Sequence, residues 1–277
     1  MYASTYNDNS NPFVQNLGFD NDTCQFPQIT VGGVLDGITP GRDRWSVYGD
    51  LLKFLPAQPN HKTWFRSSES PLTQATAGAV LRGLWPNYNG ALPLHQQNGA
   101  VDSVNEGYPC ASHSTILSSI ESTPEWNAHL TATEPLLNAL EYLTLNNTVR
   151  NSSFDALTDY FQCRLCNGYS LPCDPKDPSK CVTHEQAEEV FRAGDWEWNY
   201  WFGADNDRTD YIQTVEGLFV GEIITRLEQV RNGTQSIDYA HVFVHDNDVG
   251  PILGALGTNV MRWPALGSNV AFEVWYV

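Results

Sequence analysis

The chain has 277 residues, with 15 Lys and Arg against 32 Asp and Glu, and a formal net charge of −17 at pH 7. Its length allows one large domain or two small ones, and its 41% of apolar residues excludes an acidic disordered chain. The charge disfavours nucleic acid and anionic membrane surfaces as partners, and no apolar run is long enough to cross a bilayer.

The N-terminal part of the sequence is polar and rich in turn residues, with one helix predicted near Gly41–Leu55. A short apolar run at 62–65 predicts a buried strand, which ends at a polar stretch that begins with Arg66. Ser70 followed by Pro71 is typical of a helix start, with a hydroxyl cap and proline in the first helical position. Arg66 is therefore expected where a strand passes into a helix.

The middle of the chain is predicted to be mostly helical, with a loop-like stretch at 86–112 before it. Helices are expected over 123–145, broken at Pro135, and over 152–165, 183–202 and 207–231. The helix that begins at Thr183 has Gln186 three residues later, which predicts a capping box. A cysteine-rich loop interrupts this helical region.

The last 40 residues change character. Tyr239–Val244 is strongly β-forming and ends in the polar sequence His245-Asp246-Asn247-Asp248. A helix is predicted from Val249, with Asn247 or Asp248 as its cap and Pro251 in its first turn. A final strand is predicted over Asn269–Tyr276.

Two places therefore share one pattern: an apolar strand, a polar tip and a capped helix. In open α/β sheets such strand ends form the ligand crevice, and helix N-termini there favour anions. Arg66 supplies a planar cation suited to phosphate oxygens. His245 and Asp246 supply a hydrogen-bond donor and an acid for a leaving alcohol. The pattern predicts a site for a small phosphate monoester or inorganic phosphate, and no cofactor.

Structural explanations of the same residues stay open at this point. Arg66 could be a strand-end arginine that pairs with Glu69 or Asp43, and His245-Asp246 could serve only as a helix cap and turn. A metal site at His245, Asp246 and Asp248 is a third alternative. The remaining histidines have no partner visible in the sequence and are interpreted as surface or core residues.

Sequons and cysteines predict a secreted, extracellular glycoprotein with disulfides and N-linked glycans. The four glycosylation sequons begin at Asn21, Asn146, Asn151 and Asn232. The N-terminal residues are polar and have no apolar signal core, which suggests a mature chain or a late gene start.

The six cysteines are all expected to form disulfides, in a connectivity that the sequence leaves open: Cys24, Cys110, Cys163, Cys166, Cys173 and Cys181. The CxxC pair at Cys163 and Cys166 also fits a redox pair or half of a zinc site. The irregular spacing of the other cysteines and the absence of a matching histidine pattern favour disulfides.

Several motifs resemble the histidine acid phosphatase (phytase-type) family. The stretches FVHDNDVGPILGALG and RWPALGSNVAFEVW resemble its C-terminal region, and WFRSSESPLTQATAGAVLRGLWP resembles its strand, arginine motif and helix. The resemblance continues through GDWEWNY and the cysteine loop, and it is nearest to secreted fungal members.

The resemblance implies an α/β fold, namely a histidine-phosphatase (phosphoglycerate mutase-like) α/β sandwich with a mostly helical cap insertion. A single, N-terminally incomplete domain over 1–277 is expected, with the cap and cysteine loop at about 86–205 and the remainder forming the α/β core. The implied activity is acid phosphomonoester hydrolysis through a phosphohistidine. In that scheme Arg66 binds the phosphoryl group, His245 hydrogen-bonds to it, and Asp246 protonates the leaving oxygen.

Two departures from the family pattern affect this expectation. The nucleophile motif RHGxRxP does not occur in these 277 residues, and Leu72 stands where family members often carry a second arginine. A sequence that starts late would explain both the missing motif and the missing signal peptide. The alternative is an inactive pseudophosphatase that still binds phosphate-bearing ligands.

Overall fold

A computed structural model describes residues 29–104, 110–143, 153–174 and 176–275. The chain divides into two compact units. Unit 1 contains the described residues up to Asn98 together with Ser236–Phe243, and unit 2 contains the described residues of 99–235 and those from Val244 onward. The predicted limits of the helical cap, about 86–205, stay a prediction.

The described residues form helices and short strands. The helices are α1 (Val31–Arg44), α2 (Pro71–Leu84), α3 (His113–Glu121), α4 (Pro124–Ala139), α5 (Asp155–Cys166), α6 (His184–Phe202), α7 (Thr209–Arg231) and α8 (Asp246–Ala255). A π-helical segment (Trp45–Leu51) continues α1, and a 3₁₀ turn (Ala204–Asn206) follows α6. The strands are β1 (Thr63–Ser67), β2 (Cys173–Asp174), β3 (Asp177–Cys181) and β4 (Tyr239–Phe243). Within the described ranges, no helix combines the length and the apolarity that a membrane span requires.

Unit 1 is built on a parallel pair of strands. β1 lies beside β4 in a register that places Thr63 opposite Tyr239 and Ser67 opposite Phe243. Both predicted strands are confirmed, although β1 extends to Ser67 and so includes Arg66. Because the strands are parallel and in register, their carboxyl ends lie at the same edge.

The predicted start of α1 is wrong. The helix begins at Val31, ten residues before the expected start at Gly41. Its glycines, which suggested turns, allow a close approach to α2. A Cβ atom on Gly41 would lie 2.2 Å from the carbonyl oxygen of Val80, and one on Gly83 would lie 2.2 Å from that of Ile38. The backbones of α1 and α2 can therefore pack at this distance only with glycine at both positions.

The helices of unit 2 follow their local signals. The Thr183 hydroxyl accepts a hydrogen bond from the backbone N–H of Gln186 at 3.2 Å, and the Gln186 side chain accepts one from the N–H of Thr183 at 3.0 Å. The predicted capping box is confirmed. The predicted break at Pro135 is wrong, since α4 continues through this residue to Ala139. A proline removes only its own backbone donor, and here the helix ends one turn later.

Apolar side chains form three buried clusters. The cluster of unit 1 consists of Leu55, Phe65, Ala77, Val80, Leu81, Leu84, Trp85 and Phe243. One cluster of unit 2 consists of Leu140, Leu143, Phe154, Leu157, Phe161, Leu171, Val182, Ala187, Val190 and Ala193. The other consists of Ile120, Trp126, Trp198, Tyr200, Trp201, Phe202, Tyr211, Ile212 and Met261. Helix α6 contributes to both clusters of unit 2, so it is the central helix of that unit.

The predicted final strand is wrong for the described residues, which reach 275 and contain no strand after β4. Phe272, Val274 and Trp275 belong to this β-forming run, yet they are 40%, 46% and 64% exposed. Strand-forming residues alone do not make a strand, because the backbone needs a neighbouring strand to bond to.

One disulfide joins Cys173 to Cys181 across β2 and β3. Among the described residues, Cys110, Cys163 and Cys166 form no disulfide with one another, and Cys24 lies outside the described residues. Disulfides of these four cysteines stay a prediction.

The predicted glycosylation sites fall mostly outside the description. Asn232 is exposed at the C-terminal end of α7, and Asn21, Asn146 and Asn151 lie outside the described residues.

Candidate functional site

Arg66 lies in unit 1, at the penultimate position of β1, and is only 3% exposed. On one side of the strand it stands opposite Val242 of β4. On the other side His95 forms a parallel bridge: the backbone N–H of Ser67 donates to its carbonyl at 3.0 Å, and its own N–H donates to the carbonyl of Phe65 at 2.9 Å. The backbone of Arg66 is thus fixed from both sides.

A turn rich in hydroxyl groups follows Arg66 and is held by its own hydrogen bonds. The hydroxyl groups of Ser68 and Thr73 lie 2.8 Å apart in a buried contact. The Gln96 side-chain amide donates to the carbonyl of Ser68 at 3.1 Å and to the hydroxyl of Ser67 at 3.2 Å. These contacts set the direction in which the chain leaves β1.

The turn leads into the N-terminus of α2. The Ser70 hydroxyl accepts from the backbone N–H of Leu72 at 3.3 Å, and Pro71 is the first helical residue. The predicted cap is confirmed. A helix N-terminus carries backbone donors without intrahelical partners and a positive dipole end, so this side of unit 1 combines a guanidinium group with features that favour anions.

His245 and Asp246 lie in unit 2, where His245 caps α8 and Asp246 is its first residue. The predicted start at Val249 is therefore three residues too late, and neither of the two caps expected from the sequence is used. The cause is Asp248, which is only 2% exposed and accepts from the backbone N–H of His245 at 2.8 Å. This reciprocal contact begins the helix earlier than the proline and the apolar run indicate.

The carboxyl group of Asp246 is oriented by two donors. Its Oδ2 accepts from the indole Nε1 of Trp263 at 2.6 Å, and its Oδ1 accepts from the backbone N–H of Asn247 at 3.0 Å. Both partners belong to unit 2, and Asp246 itself is half-buried. An oriented and partly accessible carboxyl group is suited to directional proton transfer.

Asp246 has acidic surroundings. Burial, and to a smaller extent the negative charge of Asp246, raises the pKa of Asp159, while a hydrogen bond from Cys163 opposes this shift. Burial and the charge of Asp159 raise the pKa of the Cys163 thiol to about 11. The charge near Asp246 in unit 2 is therefore negative.

The sequence analysis missed a buried carboxyl group in α7. Glu216 is only 2% exposed, and within the described residues its Oε1 has no hydrogen-bond partner. Burial, followed by the charges of Asp248 and Glu222, raises the pKa of Glu216 to about 10. Helical periodicity could have revealed this residue, because it falls on the apolar face between Ile212 and Phe219.

His129 also gains a partner that spacing alone did not show. Its Nε2 lies 2.9 Å from Oε1 of Glu197, and both side chains are buried. The backbone N–H of Phe154 donates to the other carboxylate oxygen at 2.8 Å. His129 is thus a paired core histidine.

The metal alternative finds no support in the described ranges, where no group of three or more His, Cys, Asp or Glu side chains is placed to hold an ion. Arg66 belongs to unit 1, and the His245-Asp246 pair belongs to unit 2.

No protein-family model matches the chain. The chain is similar to Counting factor 60 of Dictyostelium discoideum, with 23% identity over 277 residues that cover 95% of this chain and 63% of that protein. The chain thus spans less than two thirds of the length of this relative.

Solved phytases share the architecture. The Klebsiella sp. ASR1 phytase superposes with a TM-score of 0.59 at 15% identity, over 87% of this chain and 66% of that one. The Citrobacter braakii phytase superposes with a TM-score of 0.58 at 13% identity, over 91% of this chain and 74% of that one. The fold is the histidine-phosphatase fold of these phytases. The Hafnia alvei phytase in complex with tartrate superposes with a TM-score of 0.57 at 16% identity, over 88% of this chain and 72% of that one. The predicted fold class is confirmed, whereas the predicted nearness to fungal members and the roles of the site residues stay predictions.

Proposed function

We propose that this chain carries the phosphoryl-binding and proton-donating groups of a secreted acid phosphomonoesterase. The observation that carries the proposal is the parallel pairing of β1 with β4. Arg66 is the penultimate residue of β1, and His245 follows the last residue of β4 by two positions. Strand ends of this kind, each followed by a helix N-terminus, are the usual ligand side of α/β folds.

Each residue has a distinct role in this proposal. The Arg66 guanidinium binds two phosphoryl oxygens, and His245 donates a hydrogen bond to the phosphoryl group. Asp246 gives its proton to the leaving alcohol oxygen as the P–O bond breaks. Attack on phosphorus requires a nucleophilic histidine, and the family motif that would supply it does not occur in these 277 residues.

A second candidate function is phosphate-ligand binding without hydrolysis, since an arginine and a histidine are enough to bind a phosphoryl group. It uses the same Arg66 and His245 contacts and leaves Asp246 without a chemical task. The two candidates differ in whether the protein hydrolyses a phosphate monoester or only binds it.

The acidic surroundings of Asp246 indicate the kind of phosphate monoester. Asp159 and the overall charge of −17 oppose a leaving group that carries further phosphates. The proposal therefore favours a monoester with an uncharged alcohol over a polyphosphorylated one, even though the Hafnia alvei phytase has been solved with myo-inositol hexakis sulphate.

Replacing Arg66 should abolish phosphate binding. A ligand present at about 100 times its Kd stabilises the folded state by roughly 2.7 kcal/mol, so saturating inorganic phosphate should raise the melting temperature of the unmodified protein. Arg66→Lys, which keeps the charge but not the planar fork, should lose most of this increase, and Arg66→Met should lose all of it.

Arg192→Met is the matched control, since Arg192 is exposed and, among the described residues, forms its ion pair with its helical neighbour Glu188. It should retain the full phosphate-induced increase. An undiminished increase in both Arg66 variants would contradict the assigned role. Circular dichroism without phosphate identifies any variant that fails to fold.

Asp246→Asn should slow hydrolysis in a way that depends on the leaving group. Loss of a general acid costs about 10²–10⁴-fold in rate, and this cost should appear with alkyl phosphates, whose alcohols need a proton. Aryl phosphates with acidic phenols should lose much less. Equal losses for both ester classes would argue against a leaving-group acid, and phosphate binding without any hydrolysis would favour the binding candidate.

A further inference from the structure

The segment after α8 is fastened to α6 through two side chains of that helix. Asn199 Oδ1 accepts from the backbone N–H of Met261 at 2.9 Å, and Asp195 Oδ1 accepts from the backbone N–H of Trp263 at 3.0 Å. Both acceptors face the same segment from consecutive turns of the helix. The backbone position of Trp263 is therefore set by α6.

The ring of Trp263 is positioned by the same helix. It packs against Trp198, with ring centroids 5.2 Å apart and an interplanar angle of 34°. The ring lies close to Gly194, which has no side chain: a Cβ atom there would be 3.3 Å from Cε3 of Trp263, closer than ordinary van der Waals contact. With its backbone and ring both held, the indole N–H has a fixed direction.

That N–H points at Asp246, whose Oδ2 accepts it at 2.6 Å. Oδ1 accepts from the backbone N–H of Asn247 at the longer distance of 3.0 Å, so each oxygen faces one group that can only donate. In a neutral carboxylic acid the carbonyl oxygen is the stronger acceptor. The shorter indole bond therefore favours Oδ2 as the carbonyl oxygen and Oδ1 as the oxygen that carries the proton.

We propose that Trp263 is the positioning residue of Asp246, holding its carboxyl group so that Oδ1 presents the proton to the leaving oxygen. The proposal rests on the proposed function of Asp246. As a nucleophilic histidine forms a bond to phosphorus and the P–O bond to the alcohol breaks, the proton passes from Oδ1 to the leaving alcohol oxygen. The resulting carboxylate keeps its indole hydrogen bond, which stabilises the charge that develops.

The contact can be tested without activity by NMR of the ¹⁵N-labelled native protein. The indole signal of Trp263 is identified by its loss in Trp263→Phe, which retains an aromatic ring and removes only the donor. In Asp246→Asn this signal should move upfield, because an amide accepts a weaker hydrogen bond than a carboxylate. A signal that stays in place would overturn the proposal.

The kinetic consequence is tested with the same variant. Trp263→Phe should lower kcat for alkyl phosphates about tenfold, leave KM within about twofold and leave kcat for activated aryl phosphates nearly unchanged. Equal losses for both ester classes would overturn the positioning role, since a merely structural role would affect both.

Trp275→Phe is the matched control for these experiments. Trp275 is 64% exposed and also donates its indole N–H to a carboxylate, Glu273, at 3.1 Å. Trp275→Phe should leave kcat unchanged for both alkyl and aryl phosphates and should leave KM unchanged. If the unmodified protein hydrolyses no phosphomonoester, the proposed function fails, and the NMR result alone decides whether Trp263 orients Asp246.

Discussion

Replacing Gly83 with alanine should lower the free energy of unfolding by about 3 kcal/mol, at the upper end of the usual range for overpacking. The new Cβ atom would lie 2.2 Å from the carbonyl oxygen of Ile38 and 2.9 Å from Cα of Gly41. Because both are backbone atoms, the contact cannot be relieved by a side-chain rotation. The helices α1 and α2 would have to separate.

Gly78→Ala provides a control in the same helix. A Cβ atom at Gly78 meets nothing within 4 Å, so alanine there should gain its ordinary helix propensity, up to about 1 kcal/mol. The two variants make the same chemical change and should shift urea unfolding midpoints in opposite directions. A neutral Gly83→Ala would show that α1 and α2 are not packed this closely.

Replacing Glu216 with glutamine should stabilise the protein at neutral and alkaline pH. Its pKa of about 10 in the folded protein stands against 4.5 ordinarily, so between these values the unfolded chain releases a proton that the folded chain retains. The free energy of unfolding therefore falls as pH rises, by at most about 1.4 kcal/mol per pH unit. Glutamine has nearly the same shape and removes this dependence.

The measurement compares melting temperatures at about pH 5 and about pH 8, where the linkage effect should be small and large respectively. Glu216→Gln should exceed the unmodified protein clearly only at the higher pH. Glu228→Gln is the control, since Glu228 lies on the same helix but is exposed beside Arg231. An equal gain at both pH values would show that Glu216 does not retain its proton.

Local signals predicted much of this fold. Ser70 with Pro71, and Thr183 with Gln186, encode their helix starts within four residues, and each is stabilised by contacts inside that stretch. Such starts can be inferred from sequence because their physical cause is also local. The strand that begins at Tyr239 could likewise be predicted from the β-forming residues of its own short segment.

Some of the incorrect predictions concern residues whose role depends on the rest of the fold. The start of α1 is capped locally, since the Thr30 hydroxyl accepts from the backbone N–H of Gly33, but the packing role of Gly41 against α2 is visible only in the structure. The expected strand at Asn269 has β-forming residues but, up to residue 275, no strand beside it. Strand propensity reports on the segment alone, while pairing depends on the rest of the sheet.

The site shows the same division. Arg66, His245 and Asp246 could be selected because each follows or ends a recognisable strand. Trp263, the donor to Asp246, could not be, since its place depends on Asp195 and the surface of α6. The residues proposed to bind phosphate or transfer a proton could be predicted from the sequence. The residue that orients Asp246 could be recognised only in the folded structure.

The pairing of β1 with β4 also determines when unit 1 can be completed during synthesis. Lys62 and Asp238, which form an ion pair at the start of the two strands, are separated by 176 residues. At about 5–20 residues per second, a ribosome needs roughly 10–35 s to make the partner strand after β1 has been translated. Throughout that interval the edge of β1 that later bonds to β4 remains open to other strands, so the nascent chain is exposed to edge-to-edge aggregation until Phe243 has left the ribosome.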